Sequence, residues 1–247
     1  MAEQEVIKHT RKVLNTWKTK ELKLWHKIKE FLFEVVIIVF AVSLSIWLHD
    51  KNERTHEQKE VKLFLLGLRE DLLSDLAEMK QDKEGYILQG HAFKYILSIR
   101  LNETINKDSL KKHQAWLFNT TSLLQNNGRF EGFKASGKIG TIEDKDLQNE
   151  IMDLYQENIP SLLSATALYI EWKKRFMIFC SENTRRLTDS TNNFTSVLVQ
   201  EQVYRLSNFL SNPRDIITRY DICIEKSRSI ISRIENLYHL RPGKQDN

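Results

Sequence analysis

The stretch Phe31–Leu48, FLFEVVIIVFAVSLSIWL, decides the architecture of this 247-residue chain. Its eighteen residues carry a single charge, on Glu34. About 20 apolar residues cross the hydrocarbon core of a bilayer, and the usable range begins near ~17. The sequence therefore predicts one transmembrane helix over residues 31–49, with Trp17, Trp25 and Trp47 as anchors at the membrane interfaces.

Two other interpretations of this stretch stay open. Its uncharged run, Val35–Leu48, has only fourteen residues, a length that also suits a helix buried in a soluble core. A cleaved signal peptide is the second, but the region before the stretch is long and no small-residue cleavage motif follows it. The flanking tryptophans and charged residues favour the membrane.

Positive charge is concentrated before this stretch. Residues 1–30 hold eight Lys or Arg and four Asp or Glu, so their surplus equals the net charge of the whole chain, +4. The remainder is neutral, which argues against a nucleic acid as partner. Six Lys or Arg lie in residues 12–30 and four in residues 49–68, a bias that predicts a cytoplasmic N-terminus and a large domain outside the cytoplasm.

A polar stripe interrupts the apolar stretch. Helical spacing places Glu34, Ala41 and Ser45 along one face. Small residues four apart allow close contact between helices, so this stripe is a candidate surface for association of the spans. The alternative is that Glu34 lies at the inner membrane interface and pairs with Lys27 or Lys29.

The rest of the chain has the composition of long helices. It contains only 8 Gly and 3 Pro, too few for the turns of a β protein. We expect an all-α fold: a basic amphipathic cytoplasmic segment (1–30), the transmembrane helix (31–49), long juxtamembrane helices (50–100), a bundle of about four to six helices packed with them (101–240), and a disordered tail (241–247). Predicted helix boundaries include a cap at Asp108, a start at Thr141 with Asp144 in the first turn, a break at Pro160 and a start at Asn212-Pro213.

Motifs that carry chemistry are weak in this sequence. Gly132–Lys138 matches the first positions of a phosphate-binding loop, but Ile139 stands where the Mg²⁺-binding Ser or Thr belongs and no strand precedes it. His49, Glu53 and His56 share a helix face, yet solvated residues explain them better than a metal site. The basic runs Lys173-Lys174-Arg175 and Arg185-Arg186 are interpreted as solvated faces. We therefore predict no enzyme activity, no metal and no cofactor.

Two cysteines, Cys180 and Cys223, lie in apolar helical contexts. The simpler interpretation is that both are small buried residues. A single disulfide between them is the alternative if the domain faces an oxidising compartment.

Three stretches resemble a family of uncharacterised single-span membrane proteins of Bacteroidota. They are Glu34–Asn52 (EVVIIVFAVSLSIWLHDKN), Lys62–Asp75 (KLFLLGLREDLLSD) and Phe130–Tyr155 (FEGFKASGKIGTIEDKDLQNEIMDLY). They are similar to the family's acid-led span, its leucine-rich R/K-E-D-L helix and its S-G-K-x-x-x-I segment. The chain departs from the pattern at Val42 and Ala41, where the family has Gly, and at His49-Asp50, where it has Trp-Asn. The resemblance implies the same architecture and a bacterial origin, with no activity to carry over, and it favours a structural role for Gly137-Lys138 over a phosphate-binding loop. Together with the charge bias, it predicts a protein of the bacterial inner membrane with a periplasmic domain.

These observations predict a non-enzymatic single-pass protein whose helical domain binds a protein partner or another copy of itself. The alternative is an oligomeric membrane effector, which forms a pore or disturbs the bilayer and is regulated by its helical domain.

Overall fold

The computed structural model describes residues 2–99, 105–188 and 191–240, without the side chains of residues 2–24, 27 and 30. It confirms the all-α fold, being 84% helical with no strand in the described ranges. The helices are α1 (Ala2–Ser98), α2 (Lys107–Phe118), α3 (Gly128–Ala135), α4 (Lys145–Asp153), α5 (Ile159–Asn183), α6 (Phe194–Leu198), α7 (Glu201–Leu210) and α8 (Arg214–Leu237). The predicted tail, 241–247, lies outside the described residues.

Contacts within the chain divide it into two units, residues 1–59 and 60–247. The first unit consists of the N-terminal part of α1. It contains an apolar window of eighteen residues with a mean hydropathy of 2.5, none of which is buried by the rest of the chain. One helix is thus long and apolar enough to cross a membrane.

The second unit is built on the C-terminal part of α1. Its buried side chains from Val61 to Ile96 recur at alternating steps of four and three residues, which is the heptad repeat of a helix packed along its whole length. Aromatic contacts join this face to other helices: Tyr86 meets Tyr169 of α5, with ring centroids 5.2 Å apart, and Phe93 meets Phe176 of α5 at 5.1 Å.

Two predicted helix starts are wrong by a few residues. The cap of α2 is Asn106, not Asp108; its side chain accepts hydrogen bonds from the backbone N–H groups of Asp108 and Ser109, both at 3.0 Å. Asp144 is itself the cap of α4 and accepts from the N–H of Leu147 at 3.0 Å. A carboxylate or amide directly before the first turn satisfies N–H groups that have no partner within the helix.

Pro160 does not interrupt the helical structure between α4 and α5, contrary to the sequence prediction. The helical path continues through a π-helical turn, Leu154–Asn158, in which the N–H of Ile159 donates to the carbonyl of Leu154. Proline lacks an N–H and crowds the preceding turn, and a wider turn directly before it relieves that crowding.

The C-terminal helices pack against α5 and α4. Residues 194–210 form two helices, α6 and α7. Helix α8 begins at Arg214, directly after Pro213, and carries its apolar face into the core. Ion pairs hold its outer face: Arg233 lies 2.9 Å from Asp144, and Arg69 of α1 lies 2.7 Å from Glu235.

Candidate functional site

The predicted association stripe lies in the first unit. Glu34, Ala41 and Ser45 are all exposed on α1, at the helical spacing that keeps them on one face. Trp25 and Trp47 are exposed as well, and the Nζ of Lys51 lies 5.2 Å from the centre of the Trp47 ring. The side chain of Trp17 lies outside the described residues.

The exposed trio His49, Asp50 and Glu53 approaches the spacing of a metal site. One ligand atom of each lies within 4.8 Å of the others, and His49 Nδ1 is 3.8 Å from a Glu53 carboxylate oxygen. The sequence grouped His49 with Glu53 and His56, and the structure puts Asp50 in the place of His56. Exposed side chains one turn apart on a helix account for this arrangement without an ion.

The Gly-Lys segment is a helix junction. Gly137, two residues after the end of α3, has φ of 75°, a left-handed conformation that suits glycine. Lys138 donates to Glu60 of α1 at 2.6 Å, and Phe133 stacks on Phe64 with ring centroids 4.0 Å apart. These contacts tie the junction to α1.

Both cysteines lie in the core with free thiols. Burial raises the pKa of Cys180 to about 12 and that of Cys223 to about 11. Their thiols are therefore protonated near neutral pH and unreactive as nucleophiles.

The second unit contains a buried lysine, Lys173, within the basic run that the sequence predicts to be a solvated face. Lys174 and Arg175 are exposed, as predicted, but Lys173 is fully buried, so its assignment to a solvated face is wrong. It lies on the inner face of α5, between Tyr169 and Phe176, which are buried too. A lysine is rarely buried unless its amine finds acceptors.

Three acceptors surround this amine. The Nζ of Lys173 donates to Gln89 Oε1 at 2.6 Å, to the backbone carbonyl of Trp116 at 2.8 Å and to the carbonyl of Asn119. The two carbonyls belong to the C-terminal end of α2, where backbone acceptors have no partner within the helix. Lys173 thus fixes the end of α2 between α5 and α1.

Gln89 belongs to a row of buried polar residues on α1. Asp75, Asp82 and Gln89 are 0%, 5% and 2% exposed and stand at three successive equivalent positions of the heptad repeat. Val61 and Leu68 occupy the preceding equivalent positions, and Ile96 the following one. We call Asp75, Asp82 and Gln89 the polar row.

A segment that is neither helix nor strand, residues 119–127, lies against the polar row. We call it the strap. The N–H and the side-chain amide of Asn126 donate to Asp75 at 3.1 and 2.6 Å, and the hydroxyl of Thr121 donates to Asp82. Next to the row, the Tyr86 hydroxyl donates to the Thr121 carbonyl at 2.6 Å and Glu78 accepts from the N–H of Leu124 at 2.7 Å.

Helix α8 completes this network. The hydroxyl of Tyr220 donates to Asp82 at 3.1 Å. The polar row, the strap, Lys173 and Tyr220 together form a polar seam that joins α1, α2, α5 and α8; its helix side is buried and the strap is partly exposed. In this seam, side chains on the helices form hydrogen bonds with backbone groups of the strap. They take the place of the neighbouring strand that would bind such groups in a sheet.

Burial shifts the pKa values of the ionisable groups in the seam. The pKa of Asp75 is raised, mainly by burial, although the hydrogen bonds from Asn126 act in the opposite direction. Burial lowers the pKa of Lys173 to about 7, and it raises those of Tyr86 and Tyr220. Burial in the seam therefore disfavours the charged forms of both Asp75 and Lys173.

The sequence contains a signal for this seam. The step of four and three residues that runs through Leu65, Leu68 and Leu72 continues without a break over the polar row and ends at Ile96. The apolar members of this repeat predict the buried face of the helix, and Asp75, Asp82 and Gln89 fall on that same face. Polar residues in phase with an apolar heptad are buried and have a specified partner.

A scan of the chain against known proteins finds no matching family model, no matching curated protein and no matching solved structure.

Proposed function

We propose that this chain is a single-pass protein of the bacterial inner membrane whose helical domain, outside the cytoplasm, binds a protein partner or a second copy. The observation that carries the proposal is the exposure of the whole apolar window in the first unit, with its mean hydropathy of 2.5. Burial of apolar surface is favourable by about 25 cal/mol per Å². No other part of the chain that the structure describes buries this window, which supports a bilayer as its environment.

The distribution of charge supports the orientation. The N-terminal thirty residues carry the whole positive surplus, and Lys and Arg near the window are more numerous before it than after it. Such a bias keeps the N-terminal side in the cytoplasm. The helical domain then faces the periplasm.

An apolar groove on the second unit supports the interaction role. Leu168 of α5 and Phe209 of α7 are 63% and 62% exposed, and the Trp172 and Phe209 rings stack with centroids 4.7 Å apart. The groove beside them has a volume of about 210 Å³, and Pro213 and Ile216 also line it. Exposed aromatic and aliphatic side chains at a groove are typical of protein contact sites.

The seam supports a structural role for its ionisable groups. Lys173 has three acceptors for three protons, and Asp82 accepts from both Thr121 and Tyr220. Groups so engaged hold helices together, and we assign them no role in chemistry on a substrate. The proposed protein is accordingly not an enzyme.

Two measurements test the proposal. Membranes carrying the chain are extracted with alkaline carbonate, and C-terminal alkaline phosphatase and green fluorescent protein fusions report the side of the domain. We expect the protein in the pellet, an active phosphatase and a dark fluorophore. A soluble protein would refute the span, and a bright fluorophore with inactive phosphatase would refute the orientation.

The partner surface is tested by cross-linking in mild detergent followed by mass spectrometry. We expect Phe209→Glu to abolish the cross-linked species and Ile222→Glu, at an exposed apolar position on α8, to leave it unchanged. An equal effect of both variants, or of neither, would remove the groove from the proposal.

Membrane perturbation by associated spans is the second candidate function. It rests on the exposure of Glu34, Ala41 and Ser45 along one face of an otherwise apolar helix. Dye leakage from vesicles that is lost in Glu34→Ala or Ala41→Leu would favour it over simple anchoring. Vesicles that stay tight at every protein concentration would eliminate it.

A further inference from the structure

The strap is attached to the bundle through side chains. In the described structure, the backbone of residues 120–126 makes no hydrogen bond to another backbone group. Its N–H groups at Leu124 and Asn126 instead bind the carboxylates of Glu78 and Asp75. The ends of the strap do bond to helices, Asn119 N–H to the Ala115 carbonyl of α2 and Glu131 N–H of α3 to the Asn127 carbonyl, both at 2.9 Å. Residues 120–126 can detach between these two bonds without unfolding the helices around them.

One end of the strap covers the buried amine. The carbonyl of Asn119, the first strap residue, accepts directly from Lys173 Nζ, and Gln89 and the Trp116 carbonyl are the other acceptors. All three are neutral groups. Their hydrogen bonds suit an ammonium, but they do not replace the hydration that a full charge has in water.

The surroundings of Lys173 supply no compensating charge. Helix α1 presents the amide of Gln89 and the ring of Phe93, whose centre lies 5.9 Å from Nζ. The titratable side chains on the elements packed around it include Asp75, Asp82 and Tyr86 of α1, His113 of α2, Tyr169 and Cys180 of its own helix and Tyr220 of α8, and none of these forms an ion pair with Nζ in the described structure. Burial alone accounts for the shifted pKa of Lys173, and no charged group contributes to it.

We propose that the strap is a proton-linked latch, which opens more readily when Lys173 is protonated than when it is neutral. Opening removes the Asn119 carbonyl from Nζ and admits water to the ammonium. The charged form gains more from this hydration than the neutral form does, so opening and protonation favour each other. The seam then responds to the pH of the compartment in which the bundle lies.

The sign and size of the effect follow from linkage. The pKa of Lys173 is about 7 with the strap closed and returns towards 10.5 when water reaches the amine. Between these values the opened state binds one more proton than the closed state. The opening constant therefore falls about tenfold for each pH unit above 7.

Hydrogen exchange of the full-length chain in detergent micelles tests the latch. Exchange is followed by mass spectrometry in a peptide that covers residues 119–127 and is corrected for the intrinsic rate, under conditions that give unimodal isotope envelopes. Between pH 7.5 and pH 9 we expect the opening constant of the wild type to fall about thirtyfold. A peptide from the centre of α8 serves as the internal reference and should show no such fall.

Two variants separate the latch from a general effect of pH. Lys173→Met should remove the dependence, with less than a twofold change, whereas Lys174→Met, its exposed neighbour, should keep the full dependence. Equal opening constants of the wild type at both pH values, or a dependence that survives in Lys173→Met, would overturn the proposal.

Folding of the methionine variant is not required for a decisive result. The wild-type measurement stands alone, and an NMR titration of the Lys173 side chain gives a second one. A titration midpoint near 7 supports the latch, and a midpoint near the ordinary 10.5 refutes it.

Discussion

Two halves of the same helical face in α1 pack in different ways. From Val61 to Leu72 the heptad positions hold valine and leucine, which bury apolar surface against the core. From Asp75 to Gln89 every seventh residue is polar and equally buried. The first half contacts neighbours through shape alone, whereas the second half contacts named backbone and side-chain groups of the strap, α2 and α8.

The two halves of this face contribute differently: the apolar half stabilises the bundle, and the polar half selects which segment packs against α1. An apolar face is satisfied by any neighbour of the right volume, so it stabilises the bundle without selecting one arrangement. Asp75 and Lys173 are stable in the interior only with their hydrogen-bond partners in place. We infer that the polar row fixes which segment covers α1, because another segment would leave buried polar groups unmatched.

The apolar half should give the largest loss of stability. Leu68 is fully buried at the centre of its stripe, and we expect Leu68→Ala to lower the free energy of unfolding by about 2–5 kcal/mol, through lost burial and the cavity that remains. Leu63 lies on the outer side of the same part of α1, and its side chain is 70% exposed. Leu63→Ala should therefore change the free energy of unfolding by less than about 0.5 kcal/mol. Urea denaturation in micelles, followed by far-UV circular dichroism, measures both. Similar losses in both variants would mean that the buried stripe is not the source of stability.

The apolar half is also the part that the sequence predicts best. Leu65, Leu68 and Leu72 follow helical spacing, and the structure buries all three. The all-α fold follows from the same periodicity together with the low content of Gly and Pro. Helix ends were predicted less well, because Asn106 and Asp108 are both competent caps and only the packed structure selects between them.

Two glycines of α1, Gly85 and Gly90, show how closely neighbouring segments approach the polar half of the helix. A Cβ on Gly90 would lie 2.8 Å from Pro213 Cδ and 3.3 Å from the Ser211 carbonyl, so the turn before α8 approaches α1 too closely for alanine. A Cβ on Gly85 would meet its nearest neighbour, Thr121 Cγ2 in the strap, at 3.4 Å, which is an ordinary contact. Alanine gains about 1 kcal/mol over glycine in a helix at either site.

We therefore expect Gly85→Ala to stabilise the domain and Gly90→Ala to destabilise it. The difference between the two variants removes the shared helix propensity and should equal the cost of overpacking, about 1–3 kcal/mol. Thermal unfolding of both variants in the same detergent measures it. Equal midpoints would show that the turn at Pro213 moves away from α1 at little cost.

The seam could not be predicted as a site because its partners are distant in sequence. Lys173 of α5 donates to Gln89 of α1 and to the carbonyl of Asn119 after α2. Nothing in the local sequence distinguishes Lys173 from Lys174. What a heptad can reveal is that Asp75, Asp82 and Gln89 are buried. Which groups they bind depends on the path of the strap. A segment without helix or strand has no sequence periodicity from which that path could be predicted.

The hydroxyl of Tyr86 offers the finest test of the comparison, because it can be removed without changing the apolar packing. It donates to the Thr121 carbonyl at 2.6 Å, while the ring keeps its edge contact with Tyr169. Burial raises its pKa, so the hydroxyl stays a donor throughout the neutral range. Tyr86→Phe should cost about 1 kcal/mol, the usual net value of one hydrogen bond.

This loss should appear mainly in the strap. If the strap is a separate opening unit, Tyr86→Phe raises the opening constant of residues 119–127 about fivefold, the equivalent of about 1 kcal/mol, and changes exchange in α8 far less. Tyr204→Phe, at a 56% exposed position on α7, is the matched control and should alter neither. A uniform rise across strap and α8 would instead make the seam part of one cooperative core, and the two halves of α1 would then differ in chemistry but not in mobility.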